Sequence, residues 1–242
     1  MQQPPRILAL WSAPRCRSTA FSRMVAERGD YLVIHEPFSR LADFGQVRIG
    51  EREVRSEAGV IAALRDVASR QPVFFKDTTD FRYPQVLADR DFLAEVRHSF
   101  IIREPAEAIA SHFRLNPDLR CDDVGFTRLA ELFDAVAGLS DRPPAVIDAN
   151  ELLVAPEALV RSYCEQVGIE FRPEALRWSA GMRADWRQTS EWHAATSSTT
   201  GFQAPPAEDA VDVRADETLA GYLEHHLPAF QRLHALRLRP AS

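Results

Sequence analysis

A short basic loop follows the first apolar run of the sequence and carries residue types that bind anions. It reads Ser12-Ala-Pro-Arg-Cys-Arg-Ser-Thr19, so two guanidinium groups and three hydroxyl groups lie close together. Where such a loop joins a strand to a helix, backbone N–H groups and the helix N-terminus favour a phosphate-like group. Compared with the nucleotide-binding loop G-x-x-x-x-G-K-[ST], both glycines are replaced and Ser18 stands at the lysine position. The loop therefore suits anion binding better than magnesium-nucleotide hydrolysis, with a basic surface turn as the alternative.

Lys76 is the second residue whose type suggests chemistry. It is the only lysine among 29 basic residues, and it ends an apolar run at residues 72–76. An ammonium group is a compact charge with rotatable donors, so it can follow a group as it moves or protonate a leaving oxygen. The alternatives are a chance survivor of an arginine-biased composition, or a side chain that snorkels from a strand end.

The elements that must position these residues follow from the pattern of apolar residues. Strands alternate with helical segments, which predicts one α/β domain with a central parallel sheet and helices on both faces. Residues 43–57 read as an irregular, mobile loop, and residues 182–212 as a long polar loop of the kind that forms a lid. The predicted strands are residues 6–10, 31–35, 72–76, 99–102 and 145–148, and the predicted helices are residues 18–28, 59–69, 105–113, 126–137, 156–167, 173–179 and 215–236, with a break at Pro228 as an alternative.

The predicted strands all end in polar or charged residues. In an open parallel sheet, ligands bind beyond the carboxyl ends of the strands, because these ends share one edge of the sheet. We therefore expect one site at that edge. The residues at the strand ends are 12–19, His35 and Glu36, Lys76 and Asp77, Arg103 and Glu104, and Asp148.

Two of these segments resemble the cofactor-binding motifs of sulfotransferases. Residues 14–19 align with the P-K-S-G-T-T of that family, with Arg15 in place of the lysine. Arg103 and Ser111 fall on the two ends of its R-x-P-x-x-x-x-x-S, which the sequence matches in full. An arginine at a strand end can form a fork of hydrogen bonds with a phosphate. Landmarks of a bacterial small-molecule branch of the family extend the resemblance to residue 202; they are residues 11–15, 35–38, 75–77, 150–156 and 198–202.

The resemblance implies a P-loop-like fold and an enzyme that transfers a sulfuryl group from 3′-phosphoadenosine 5′-phosphosulfate to a hydroxyl or amine of a small molecule, without a metal. It implies that Arg15 and Lys76 face the transferring group, where positioning and electrostatics carry most of the catalysis. Residues 198–202 would close over the cofactor as part of the lid at residues 182–212. The implied cofactor-binding residues are Arg15, Cys16, Arg17, Ser18, Thr19, Arg103, Ser111, Ser198, Thr199, Gly201 and Phe202.

The general base has several candidates, of which we choose Glu36. It follows the second predicted strand, beside the basic loop in the expected sheet order, and burial would raise its pKa toward that of a useful base. Its alternative role is an ion pair with an arginine of that loop. His35 would point the opposite way if the strand continues. In one group of sulfotransferases the base is a His two residues after the third-strand lysine; here Thr78 stands there, and Asp80 is the nearest substitute.

Composition bounds the remaining possibilities. With 242 residues, 45% of them hydrophobic and 26% charged, the chain reads as one soluble globular domain. A net charge of -6 disfavours nucleic acid as a partner. The sequence has no apolar run long enough to span a membrane and does not begin like a secretory signal. Its three widely spaced cysteines fit neither a disulfide framework nor a zinc pattern, so we expect a cytoplasmic protein.

Two rival functions remain open at this point. Asp148 after Val-Ile is similar to the end of a magnesium-binding strand, which would indicate a nucleotide or metabolite kinase. Thr78 at the usual position of the base would suit a nucleotide-binding module that has lost its chemistry. Neither the acceptor nor the oligomeric state can be inferred from the sequence.

Overall fold

A five-stranded parallel sheet forms the centre of the fold, as predicted. The computed structural model describes residues 4–139, 143–204 and 211–240. Its strands are β1 (Ile7–Ser12), β2 (Leu32–His35), β3 (Val47–Ile49), β4 (Arg52–Val54), β5 (Val73–Thr78), β6 (Arg97–Ile102) and β7 (Ala145–Asp148). Five of them pair in parallel in the order β2-β5-β1-β6-β7, while β3 and β4 form a separate antiparallel pair.

Helices connect the strands and cover the sheet. Among the described residues, no helix has both the length and the apolar character needed to cross a membrane. The α-helices are α1 (Ser18–Arg28), α2 (Pro37–Phe44), α3 (Glu57–Arg70), α4 (Pro84–Ala88), α5 (Arg90–Glu95), α6 (Pro105–Phe113), α7 (Phe126–Ala137), α8 (Ala149–Val154), α9 (Pro156–Val167), α10 (Ser190–Ser197) and α11 (Glu217–Ala235), and 3₁₀ turns span Cys121–Val124, Pro173–Leu176 and Ala184–Thr189.

The central strand β1 shows why helices cover both faces. All six of its residues are buried, and successive side chains of a strand point to opposite faces. Ile7, Ala9 and Trp11 pack in one apolar cluster with α3, α7 and α11. Leu8 and Leu10 pack in a second cluster with α1 and α9. Two hydrophobic layers therefore enclose the sheet, and the site must lie at its edge.

The expectation of an irregular loop at residues 43–57 is wrong. The segment contains the end of α2, the β3–β4 hairpin and the start of α3. Val47 and Ile49 are buried while Arg48 between them is exposed, and Gly50 has a φ of 60° in the turn. Strands of three residues are too short to show a readable alternation among polar neighbours, so only tertiary packing reveals them.

One helix prediction needs correction, and another is confirmed without the alternative break. The predicted helix at residues 173–179 is a single 3₁₀ turn, Pro173–Leu176, after which the chain pairs with the segment near Gly201. The backbone N–H of Trp178 donates to the carbonyl of Thr200, and that bond replaces a helical one. At the other end, α11 continues through Pro228 rather than breaking there. The expectation of a long loop at residues 182–212 is also wrong, because the range contains the 3₁₀ turn Ala184–Thr189 and the helix α10; residues 205–210 of it lie outside the described residues.

Asp77 fastens α2 to the carboxyl end of β5. Its carboxylate accepts hydrogen bonds from the backbone N–H groups of Phe38 at 2.6 Å and Ser39 at 3.0 Å, and from the Ser39 hydroxyl. A negative charge at a helix N-terminus is favourable, because the unpaired N–H groups there carry partial positive charge. The side chain is fully buried, so this anchor sets the direction in which the chain leaves β2.

We expect Asp77→Asn to lower the free energy of unfolding by about 2–3 kcal/mol, because hydrogen bonds to a charged group are lost and an amide NH₂ faces N–H donors. Urea unfolding measures this change. The exposed Asp118 provides the matched control, and Asp118→Asn should change stability by less than about 0.5 kcal/mol. Equal losses in the two variants would contradict an anchoring role.

Candidate active site

A cavity of about 630 Å³ opens at the carboxyl edge of the sheet. Cavities of this size hold small-molecule ligands. The basic loop, the start of α1, the ends of β2 and β5, the helix α6 and the helix α10 all contribute to its wall. The predicted site residues that line it are Arg15, Arg17, Ser18, Thr19, Glu36, Lys76, Asp80, Arg103, Ser111, Thr199, Gly201 and Phe202.

Three predicted site residues, Cys16, Ser198 and the alternative base His35, do not line this cavity. Cys16 is fully buried, and its thiol contacts the carbonyl of Pro14 at 3.7 Å. Burial raises the pKa of that thiol to about 12, so it stays protonated and unreactive. Ser198 is exposed, and its hydroxyl donates to the carbonyl of Ala195.

The basic loop adopts a strained conformation without glycine. Arg15 has a φ of 65° and Arg17 a φ of 60°, the left-handed region that costs most residues about 1–2 kcal/mol. These two left-handed residues reverse the chain, which then enters α1 at Ser18. The Ser12 and Ser18 hydroxyl groups lie 2.9 Å apart and tie the two ends of the loop together. Strained backbone is typical of ligand-binding loops, where the surrounding structure holds it in place.

Guanidinium groups converge at one end of the cavity. Arg15 donates from Nε to the Ser111 hydroxyl at 3.1 Å and from Nη1 to the Trp192 carbonyl at 2.9 Å. Arg103 donates to the carbonyl of Arg15 at 3.2 Å and to Glu107 at 2.8 Å. The two motifs that the sequence singled out, at residues 14–19 and 103–111, are therefore in direct contact.

Arg17 shows that this end of the cavity is rich in positive charge. Its guanidinium donates to Asn150 Oδ1 at 2.8 Å, and Glu107 is 3.9 Å away. Burial and the nearby charge of Arg103 lower the pKa of Arg17 to about 10. The group stays charged at neutral pH, and an anion placed between the two guanidinium groups would relieve their repulsion.

Glu36 and Lys76 form a buried ion pair at the other end of the cavity. Lys76 is 2% exposed. Burial alone would raise the pKa of Glu36, but the Lys76 ammonium and the His35 ring hold it well below its usual value. We expected Glu36 beside the basic loop, and that is wrong: β5 lies between β1 and β2, so the partner of Glu36 is Lys76 rather than a loop arginine.

The prediction that His35 points away from Glu36 is also wrong. His35 Nε2 lies 3.4 Å from Glu36 Oε2. The strand does not continue, because Glu36 has a φ of 50° and Pro37 begins α2 there. The turn brings both side chains to the same place. His35 Nε2 is also 3.1 Å from Nε2 of His193 on α10, a contact that no sequence pattern predicted.

Further carboxyl groups lie near the Glu36 end. Asp43 and Asp80 both line the cavity. Burial and the charge of Glu36 raise the pKa of Asp80 to about 6 and also raise that of Asp43. The Thr78 hydroxyl bonds the Ser39 hydroxyl at 2.8 Å. The cavity is thus basic at one end and acidic at the other.

Comparisons with known proteins agree with this architecture. The model of a family described as "Sulfotransferase domain" matches residues 5–235. The chain is 26% identical over 213 residues to Branched-chain-amino-acid aminotransferase-like protein 1 of Arabidopsis thaliana, an alignment that covers 83% of this chain and 37% of the plant protein. Protein 2 of the same name is 26% identical over 211 residues, and the chain spans 36% of it.

One solved structure shows the fold. It is the sulfotransferase domain from the Synechococcus PCC 7002 olefin synthase, with a TM-score of 0.52 and 13% identity. The superposition covers 93% of this chain and 96% of that domain. The two proteins therefore share the overall fold, while identity at this level carries no information on substrates.

Proposed function

The chain belongs to the sulfotransferase domain family, and from that premise we propose that it transfers a sulfuryl group from 3′-phosphoadenosine 5′-phosphosulfate to a hydroxyl or amine of a small-molecule acceptor. One observation carries the proposal. The buried Glu36–Lys76 pair faces the same cavity as Arg15, Arg17 and Arg103. A proton acceptor, a movable ammonium and an anion site are thereby combined in one cleft.

The basic end of the cavity fits the two phosphate positions of such a donor. We propose that backbone N–H groups near Arg17, with the hydroxyl groups of Ser18 and Thr19, hold the 5′-phosphate at the start of α1. Arg103 and Ser111 would hold the 3′-phosphate. The Ser111 hydroxyl oxygen accepts from Arg15, which leaves its own O–H free to donate. Thr199, Gly201 and Phe202 are proposed to cover the nucleoside.

The donor supplies an activated sulfuryl group, and the residues of this chain supply charge and proton transfer. The bond from sulfur to the acceptor oxygen forms as the bond from sulfur to the donor phosphate breaks, and Glu36 takes the proton of the acceptor. Lys76 follows the developing charge on the departing oxygen, assisted by Arg15. As Lys76 leaves Glu36, the strongest opposition to the effect of burial is lost, so the pKa of Glu36 rises and the carboxylate becomes a stronger base. The ion pair thereby couples departure of the donor phosphate to removal of the proton from the acceptor.

Titration calorimetry with adenosine 3′,5′-bisphosphate tests the donor site. We expect binding to the wild-type chain without added metal, and its absence would defeat the proposal. Incubation with the donor and a panel of phenols, alkyl alcohols, sugars and amines, read by mass spectrometry, tests the transfer. Binding without any sulfated product would favour a non-catalytic module.

Arg103→Ala should weaken binding of the bisphosphate by about 10- to 100-fold, because a charge-assisted hydrogen bond contributes about 1.5–3 kcal/mol. The same calorimetry measures the change. Arg70 is an exposed arginine paired with Asp66 on α3, so Arg70→Ala is the matched control and should bind as the wild type does. Unchanged affinity in Arg103→Ala would contradict a 3′-phosphate role.

The kinase alternative finds no support at Asp148. Its carboxylate accepts from the backbone N–H groups of Asn150 at 2.8 Å and Glu151 at 3.0 Å, and so caps α8. The basic loop has no lysine for a γ-phosphate. Binding of magnesium-ATP without binding of the bisphosphate would revive this alternative.

A further inference from the structure

A continuous chain of polar contacts crosses the cavity wall from the phosphate end to the base. Thr19 Oγ1 lies 3.3 Å from His193 Nδ1. His193 Nε2 lies 3.1 Å from His35 Nε2, which in turn lies 3.4 Å from Glu36 Oε2. Thr19 belongs to α1, His193 to α10, and the other two residues to the end of β2. One histidine of α10 therefore contacts both halves of the site.

The carboxylate at one end fixes the direction of every hydrogen bond in this chain. A carboxylate only accepts, so His35 must carry its proton on Nε2. His193 Nε2 lies 3.1 Å from this protonated nitrogen and 3.1 Å from Thr189 Oγ1, so it carries no proton itself and can accept from the Thr189 hydroxyl. The proton of a neutral His193 is therefore on Nδ1. His193 Nδ1 then donates to Thr19 Oγ1. The O–H of Thr19 has no other acceptor in the described part of the chain, and it lines the cavity.

Both imidazole rings are in surroundings that keep them neutral. His193 is 2% exposed, and burial, His35 and the charge of Lys76 lower its pKa to about 3, with Arg15 acting in the same direction and Glu36 against it. Burial also lowers the pKa of His35, as do Lys76 and Arg40, against the opposing charge of Glu36. A neutral pair is needed here, because two protonated nitrogens 3.1 Å apart would repel each other.

We propose that His193 is a positioning residue with two separate tasks. Through Nδ1 it turns the hydroxyl of Thr19 so that its O–H donates to the donor's 5′-phosphate, and through Nε2 it shares the His35 proton with Glu36 and so sets the position of His35. The inference rests on the proposed function, and it adds that α10 is a working part of the site rather than a cover. The helix α10 thereby links occupancy of the 5′-phosphate site to the orientation of Glu36.

The two tasks can be separated with amide side chains. The amide nitrogen of asparagine reaches the place of the histidine Nδ1, and the amide of glutamine reaches the place of Nε2. We expect His193→Ala to weaken bisphosphate binding about 10-fold and to lower kcat about 10-fold or more, since both orientations are lost. His193→Asn should restore the affinity but not kcat, while His193→Gln should restore kcat but not the affinity. kcat is measured with the strongest acceptor of the panel above.

Three controls accompany this series. Gln188→Ala changes an exposed residue of the preceding 3₁₀ turn and should affect neither quantity. Thermal unfolding shows whether each variant is folded. Thr19→Val should weaken bisphosphate binding in the wild type but cause no further loss in His193→Ala, because the orientation of the hydroxyl is already gone.

The possible failures are distinguishable. If the wild type does not bind the bisphosphate, the proposed function fails first. If the wild type binds it and the asparagine and glutamine variants both behave like His193→Ala, or both like the wild type, the two-task inference is overturned. Additive effects of Thr19→Val and His193→Ala would also overturn it.

Discussion

Glu36→Gln is expected to lower turnover by about 10²- to 10⁴-fold, the usual contribution of a general base, while bisphosphate affinity changes less than about threefold. The amide cannot take the proton of the acceptor. The side chain of Glu36 bonds Lys76 and is not one of the proposed phosphate ligands, so we expect the phosphate positions to be unaffected. Steady-state kinetics and calorimetry on the same preparation measure the two quantities.

Two further variants make the Glu36 experiment decisive. Glu36→Gln leaves the buried Lys76 without its partner, which costs about 3–5 kcal/mol of stability when a buried pair is broken. Glu36→Gln/Lys76→Met removes both charges, so it should regain stability but stay inactive. Asp80→Asn tests the other carboxyl group and should cost less than about 10-fold in turnover. A larger loss of turnover in Asp80→Asn than in Glu36→Gln would identify Asp80, rather than Glu36, as the general base.

Lys76→Met is expected to lower turnover by about 10²- to 10³-fold, as does the loss of other groups that stabilise developing charge. It should also move the acid limb of the pH profile upward. With Lys76 present, the pKa of Glu36 is held well below its usual value. Without the ammonium, only His35 and His193 still oppose the effect of burial, so the pKa of Glu36 rises and Glu36 becomes protonated at a higher pH. The pH dependence of kcat in the two proteins measures this shift.

Lys76→Arg separates charge from shape. The positive charge is kept, but a planar guanidinium must fit a fully enclosed space and cannot rotate its donors toward a moving group. We expect a loss of turnover of about 10- to 100-fold, since overpacking displaces neighbouring groups. Near-normal turnover would mean that the single lysine of this arginine-rich chain reflects composition alone.

The sequence predicts the sheet and the basic end of the cavity well. Buried parallel strands are continuous apolar runs, so all five strands can be recognised from the sequence without any knowledge of packing. The contact between the basic loop and the segment at residues 103–111 also follows, because both lie beyond the ends of neighbouring strands, β1 and β6. The hydrogen bond from Arg15 to Ser111 forms because these two segments are adjacent.

The acidic end could not be predicted because it depends on backbone geometry and strand order. A φ of 50° at Glu36 is not encoded by any turn residue, and it alone turns His35 and Glu36 toward each other. The position of β5 between β1 and β2 decides that Lys76, rather than a loop arginine, meets Glu36. The helix α10 lies within a polar segment, and its inward residues, among them His193, are too few to form a periodic signal.

The alternation of charge along β5 also guards the pairing of the strand. Lys76 and Asp77 are neighbours and point to opposite faces, one toward Glu36 and the other toward the first amides of α2. A slip by one residue would exchange the faces. A slip in one direction would set the Asp77 carboxylate against Glu36, and a slip in the other direction would bring the Lys76 ammonium to the N-terminus of α2; each of these contacts is repulsive. A misregistered strand is therefore rejected at the same position where the correct one assembles the candidate site, which makes β5 a folding checkpoint as well as a part of that site.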